Sequence, residues 1–224
     1  MKISIILSGI IFLSAMSSCN KKIKAEKGGI DIISNVYFNA SKGLNNMKTF
    51  HISRLNYSND TIVELVPDLD FPATTNNAYL IKDSIYYNLN TENLSKIVFA
   101  NVQKTQKPSL IFNKKDGAIF SNDLIPNYKN RKNLTDTILF NKKYKRFEVN
   151  SPWTYTRFYI YKTDTILPYS LYKDAEREFE GRMERIDSYN KKKDIFVTLQ
   201  LVTRNKWDSE AKDLFNYNQF LKNK

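Results

Sequence analysis

One cysteine, one histidine, six glycines and six prolines in 224 residues close off several chemistries before any motif is sought. A single cysteine cannot build an intramolecular disulfide framework. One histidine and no second thiol remove the usual zinc ligand sets. His51 stands between Phe50 and Ile52 in a strand-like run, where packing explains it better than catalysis does. The chain has neither a Gly-x-Ser-x-Gly elbow nor a glycine-rich loop. Acyl-enzyme chemistry and phosphate cradles therefore lack support. So few glycines and prolines also argue against a fibrous or disordered chain. After residue 15 no apolar run approaches the roughly twenty residues of a membrane-spanning helix. We expect no metal, no cofactor and no catalytic residue.

Aromatic residues are plentiful, with fourteen Tyr, fourteen Phe and two Trp. Together with Ile, Val and Thr they favour strands over helices. The formal charge is +12. Alone, that would point to a polyanion such as nucleic acid, but the N-terminus argues otherwise. Met1-Lys2 is followed by an apolar run from Ile3 to Ala15, and the stretch closes on Met16-Ser17-Ser18-Cys19. A basic start, an apolar centre and small residues before a cleavage point form a secretory signal peptide, too short to remain as a membrane helix. Behind such a signal the basic surface points to anionic lipid head groups or to no particular partner, and not to nucleic acid.

With Cys19 directly after two serines, this segment resembles the signal of a flavobacterial-type bacterial lipoprotein. The resemblance implies cleavage before Cys19, acylation of its thiol and a lipid anchor in the cell envelope. Residues 1–18 are then the signal peptide, 19–29 the lipidated cysteine and a basic tether ending in Gly28-Gly29, and 30–224 one β-rich domain. In such lipoproteins acidic residues after the cysteine resemble a surface-export signal. Lys21 and Lys22 stand there instead, which points to the outer membrane, facing the periplasm.

Along the domain, Ile33, Val36, Tyr37, Ala40, Leu44 and Met47 recur at spacings of three and four and predict a helix over 31–47, with Asp31 near its start. From Thr49 the period becomes two. Strands are expected on both sides of a turn at Ser58-Asn59-Asp60, and again around Lys82-Asp83-Ser84. Thr91 to Val102 fits a helix capped near Thr91-Glu92-Asn93, and 103–135 has loop composition. Runs at Thr137–Val149, Thr154–Tyr161, Thr165–Tyr172, Gly181–Tyr189 and Ile195–Thr203 predict an antiparallel meander. Asp208-Ser209-Glu210 reads as the start of a terminal helix that buries Ala211, Leu214 and Phe215. The fold class is mainly β (α+β): a single antiparallel, curved sheet with an N-terminal and a C-terminal helix.

The tripeptide Asp-Thr-Ile recurs at 60–62, 136–138 and 164–166, with Asp83-Ser84-Ile85 as a variant. Turn-to-strand punctuation accounts for all four. The same tripeptide resembles the O-glycosylation sequon of exported flavobacterial proteins, which would make Thr61, Ser84, Thr137 and Thr165 acceptors. Asp68 and Asp70 share one side of an extended segment without further ligands at calcium-loop spacing, and read as turn residues. Glu176, Glu178, Glu180 and Glu184 alternate with Arg177, Arg182 and Arg185, a pattern of cross-strand ion pairs on a wet face. The basic clusters at 142–146 and 191–193 read as solvated strand and turn positions.

Helices packed against many aromatic-rich antiparallel strands, with Tyr161 to Pro168 ending in Leu-Pro, resemble the outer-membrane lipoprotein carriers, in which a half-barrel sheet encloses an apolar cavity. Two functions follow. The first is a non-catalytic envelope lipoprotein with a binding or structural role toward an envelope protein. The alternative is a carrier for a lipid or another apolar ligand. Inward-facing Tyr, Phe and Ile around a void would favour the carrier, whereas two perturbed carboxylates across a cleft would favour an enzyme.

Overall fold

The computed structural model describes residues 22–222. The expected signal peptide, Cys19 and the first residues of the expected tether lie outside the described residues. In chain order the first strands are β1 (Ile23–Lys24), β2 (Lys27–Phe38), β3 (Met47–Ser58), β4 (Thr61–Pro67), β5 (Thr75–Lys82), β6 (Ile85–Leu89) and β7 (Ser109–Leu110). They are followed by β8 (Lys132–Leu139), β9 (Lys142–Asn150), β10 (Thr154–Lys162), β11 (Thr165–Ile166), β12 (Gly181–Asn190) and β13 (Ile195–Arg204). Helices α1 (Phe99–Thr105), α2 (Lys173–Glu178) and α3 (Ser209–Lys222) interrupt or follow them.

Eleven of these strands form one open antiparallel sheet in the order β7-β6-β5-β4-β3-β2-β13-β12-β10-β9-β8. β1 and β11 pair separately and in parallel. The two halves of the chain meet at the centre, where β13 runs against β2 from Ile195↔Phe38 to Arg204↔Gly29.

The helix expected over 31–47 is a strand. Ile30 and Ile32 are buried on one side of β2 while Asp31 turns to the other, a period of two that the helical spacing of Ile33, Val36 and Tyr37 obscures. Pairing on both flanks, with β3 and β13, satisfies the backbone and suits the β-branched residues. Asp31 caps nothing and meets Arg204 at 2.8 Å. Only the turn Ala40–Lys42 is helical in character, as a 3₁₀ segment. The expected tether is shorter too, because Lys27, Gly28 and Gly29 already belong to β2.

The meander is also corrected. Thr137–Val149 is a hairpin, β8 and β9, whose turn residues Phe140 and Asn141 both have positive φ (51° and 60°), as two-residue hairpin turns require. The run 165–172 stops pairing after Ile166, and β10 pairs with β12 across that excursion. The turns at Asn59-Asp60 and Asp83-Ser84 and the strands β10, β12 and β13 stand where expected.

The sheet is covered unequally on its two faces. On one face Val63, Leu65, Leu80, Tyr87 and Leu89 pack against Leu94, Val102, Trp207, Ala211, Leu214 and Phe215. Here α3 is held by Trp207, which stacks on Phe215 at 4.5 Å and donates its indole N–H to the Tyr57 carbonyl at 2.7 Å. Asp208 caps α3 and exchanges two 2.9 Å hydrogen bonds with Asn56. The segment before α1 is capped by Asn90, whose side chain accepts from the Glu92 N–H. The opposite face carries Ile30, Leu55, Ile62 and Ile81, then Phe147, Phe158, Ile160 and Met183. Among the described residues no helix of α3's length lies there. Two irregular segments cover it instead: residues 111–128, and residues 167–179 with α2.

Candidate functional site

The first covering segment is pinned by a buried ion pair. Glu64 points from β4 into this face, and Lys114 meets it at 2.9 Å with side chains 0% and 1% exposed. The Ser53 hydroxyl donates to Glu64 Oε1 at 2.8 Å and the Ala118 N–H at 2.5 Å. Burial pushes the Glu64 carboxyl up, while Lys114, Ala118 and Ser53 pull it back. Gly117 has φ +69°, and a Cβ there would collide with the Glu64 carboxylate, so glycine is required for two reasons. Two residues beyond Lys114, Asp116 accepts from the Tyr79 hydroxyl at 2.6 Å and from Asn77 at 2.7 Å. Burial and that hydrogen bond raise the Tyr79 phenol.

The second segment leans on the first. The Tyr169 hydroxyl donates to the Ile119 carbonyl at 3.1 Å, and its ring meets Phe120 edge-on at 5.0 Å. Further along, Tyr128 sits edge-on to Phe147 at 5.4 Å and donates to Glu178 at 2.8 Å. Arg131 stacks over the Tyr128 ring at 4.3 Å and pairs with Glu178.

Between these anchors the segments stand off the sheet and leave an apolar trough in two parts. One cavity of about 240 Å³ is walled by Ile32, Ile52, Leu171 and Leu199, with Ala118 and Ile119 from the covering segment. A second of about 340 Å³ is walled by Ile125, Val149 and Phe158, and by Asn127, Asn150, Ser151, Thr156 and Ser188 toward the β9–β10 turn. Tyr172 and Ile186 belong to both walls, so the cavities adjoin. Ligand sites are commonly apolar concavities of about 300–1,000 Å³ with a few polar groups. The pair of cavities has that character.

The scattered carboxylates do not form an acid–base pair across this trough. Glu184 lies on the other face and accepts from Arg182, Lys142 and, at 2.7 Å, the Tyr144 hydroxyl. Alongside it, Arg185 pairs with Asp187 at 2.7 Å and Arg157 with Glu148 at 3.4 Å. The expected cross-strand pairs on a wet face are corrected: Arg182–Glu184 and Arg185–Asp187 run along β12 itself, Lys142–Glu184 and Arg157–Glu148 bridge strands, and Arg182, Glu184, Asp187 and Glu148 are buried. Glu178 serves Tyr128 and Arg131, and Glu180 sits in a turn at φ 52°. Glu176 is raised by burial, against pulls from Ser170, Met183 and Leu171, and lines a separate 250 Å³ cavity with Lys173 and Arg182.

Asp68 accepts from the N–H groups of Asp70 and Phe71, both at 2.9 Å, as a turn residue does. His51 is in β3 opposite Ile33. Among the described residues no three of His, Cys, Asp and Glu cluster as metal ligands. Thr61 and Thr165 open β4 and β11, and Ser84 is exposed in the β5–β6 turn at φ 64°. Thr137 differs from these, lying inside β8 at a register shift.

The trough was not legible as a site in the sequence. Its one signal was Glu64, a lone carboxylate within the run Ile62 to Val66, where both faces are apolar. A charge there needs a buried partner, and Lys114 lay in a stretch of loop composition.

No helix among the described residues is long and apolar enough to cross a membrane. No protein-family model matches the chain, and no curated protein matches it. Among solved structures it is similar to an uncharacterized conserved protein from Thermus thermophilus, at 11% identity and a TM-score of 0.39, over 92% of this chain and 91% of that one.

Proposed function

We propose that this protein is a non-catalytic envelope lipoprotein, anchored through Cys19 in the outer membrane toward the periplasm, whose trough binds an apolar ligand of acyl-chain type. The adjoining cavities that share Tyr172 and Ile186 carry the reading. An apolar void of this kind on a sheet face favours ligand binding over a purely structural role, since a scaffold gains by filling it. The basic, apolar and small-residue order of residues 1–19 supports the anchor. Thr61, Ser84, Thr137 and Thr165 remain proposed glycan acceptors on the Asp-Ser/Thr pattern.

Native mass spectrometry of residues 20–224, secreted as a soluble form, tests the ligand. A stoichiometric co-purifying lipid that leaves on denaturation is the expected result. A clean apo mass that persists after incubation with envelope lipids would return the protein to a scaffold or protein-binding role.

A further inference from the structure

The trough has a chemical polarity as well as a shape. The chain carries 35 Lys and Arg residues, yet among the described residues none of them lines either cavity. The one charged wall residue among them is Asp123, itself a carboxylate. The sheet-centre part is walled by Ile32, Ile52, Leu171 and Leu199. At the other end β10 and β12 present the hydroxyls of Thr156 and Ser188, 3.1 Å apart. That end offers neutral donors and acceptors and no counter-charge for an anion.

We infer that the trough selects a single-chain amphiphile with an uncharged, hydrogen-bonding head, such as a glycerol monoester or a primary fatty amide, over a fatty-acid anion. The inference rests on the ligand-binding reading above and adds the class of head group. An ionised carboxylate moved into such a place loses its hydration and gains no cation. An ester or amide of the same chain keeps its hydrogen bonds on Thr156 and Ser188 and its chain on the isoleucines and leucines.

The test is displacement of N-phenylnaphthylamine from residues 20–224 at pH 8 by three C16 ligands: palmitate, monopalmitoylglycerol and palmitamide. The ester and the amide should displace it at concentrations lower by about tenfold or more than palmitate. Ser188→Lys places a cation among the hydroxyls and should bring palmitate level with the ester or ahead of it. Thr156→Lys, on the paired strand, places the cation at the same end and should do likewise if Ser188→Lys fails to fold. Equal displacement by all three in the unaltered protein would overturn the head-group selection and leave the trough as an acyl site. Failure of the probe and all three ligands to bind would overturn the ligand-binding reading itself.

Discussion

Glu64 and Lys114 face each other at 2.9 Å with both side chains withdrawn from solvent, and they join the sheet to the segment that roofs the trough. About fifty residues separate them in the chain, so the contact fixes where residues 111–118 lie on β4. A buried pair of this kind sets register more than it adds stability, because both charges have lost their hydration.

Removing one partner should therefore cost more than removing both. Lys114→Met leaves the Glu64 charge unpaired and should destabilise the domain by about 3–5 kcal/mol. The double change Glu64→Leu with Lys114→Met should recover most of that loss. Urea unfolding followed by circular dichroism measures both. A cost under about 1 kcal/mol for Lys114→Met alone would mean that the pair does not hold the segment down.

Phe140 is 74% exposed and has φ 51° in the β8–β9 turn, a conformation that bulky residues adopt at a cost. Phe140→Asn should stabilise the domain by about 1 kcal/mol, since asparagine accepts that backbone. The midpoint should rise in thermal unfolding. No rise would show that the ring contributes enough at the nearby cavity with Val202 and Thr203 to offset the strain.

Ile186 stands in the shared wall of the two cavities. Ile186→Trp should fill the junction and weaken binding of a C16 ligand by about tenfold or more, with the sheet retained. Shortening the ligand should recover part of the loss, because a short chain needs one cavity only. Direct titration across chain lengths reads this.

Two groups of carboxyls give opposite pH dependences. Burial raises Glu176 above 4.5 and Asp31 above 3.8, so their contribution is fully present below those values and fades as pH rises through the folded ones. Asp194 is lowered below 3.8 by the Ser41 hydroxyl and N–H, with Tyr189 adding a further bond. Its contribution is present above 3.8 and lost as pH falls through the lower folded value. The contribution of these two groups to the melting temperature should thus climb as pH falls through their folded values toward 4.5 and 3.8. Glu176→Gln should flatten that climb. As pH falls through the folded value of Asp194, which lies below 3.8, the Ser41 amide, which donates to Asp194 at 2.9 Å, should lose protection in hydrogen exchange.

Cys19→Ser should abolish palmitate labelling and shift the protein from the membrane fraction to the soluble one. Continued labelling would remove the lipoprotein reading, because the chain has no second cysteine.

Strands bounded by strong turn residues were legible from the chain alone. Lys191-Lys192-Lys193-Asp194 sets off β12 from β13, and Asp208 announces α3. Local pattern failed where distant pairing decides. Ile33, Val36 and Tyr37 fit a helical stripe, and only two flanking strands make β2 what it is. Phe140 hid a turn inside an apolar-looking run. Tyr169 and Leu171 looked like strand residues and are roof residues, because pairing stops at Ile166 and both side chains pack inward. The trough depends on segments from residues 111–128 and 167–179 meeting over one face, a relation that no short window of sequence contains.

The seam between β2 and β13 also bears on timing. Residues 29–38 find their partner only in residues 195–204, so the middle of the sheet has an unpaired margin until almost the whole chain is available. Closure over such a separation is slow compared with local hairpins. A protein built this way stays unfinished until residues 195–204 have been made and reach β2. During that interval the exposed margin of β2 is open to wrong partners, which makes a holding chaperone valuable for this chain. Removal of residues 195–224 should leave two half-sheets with open margins in place of a smaller stable domain.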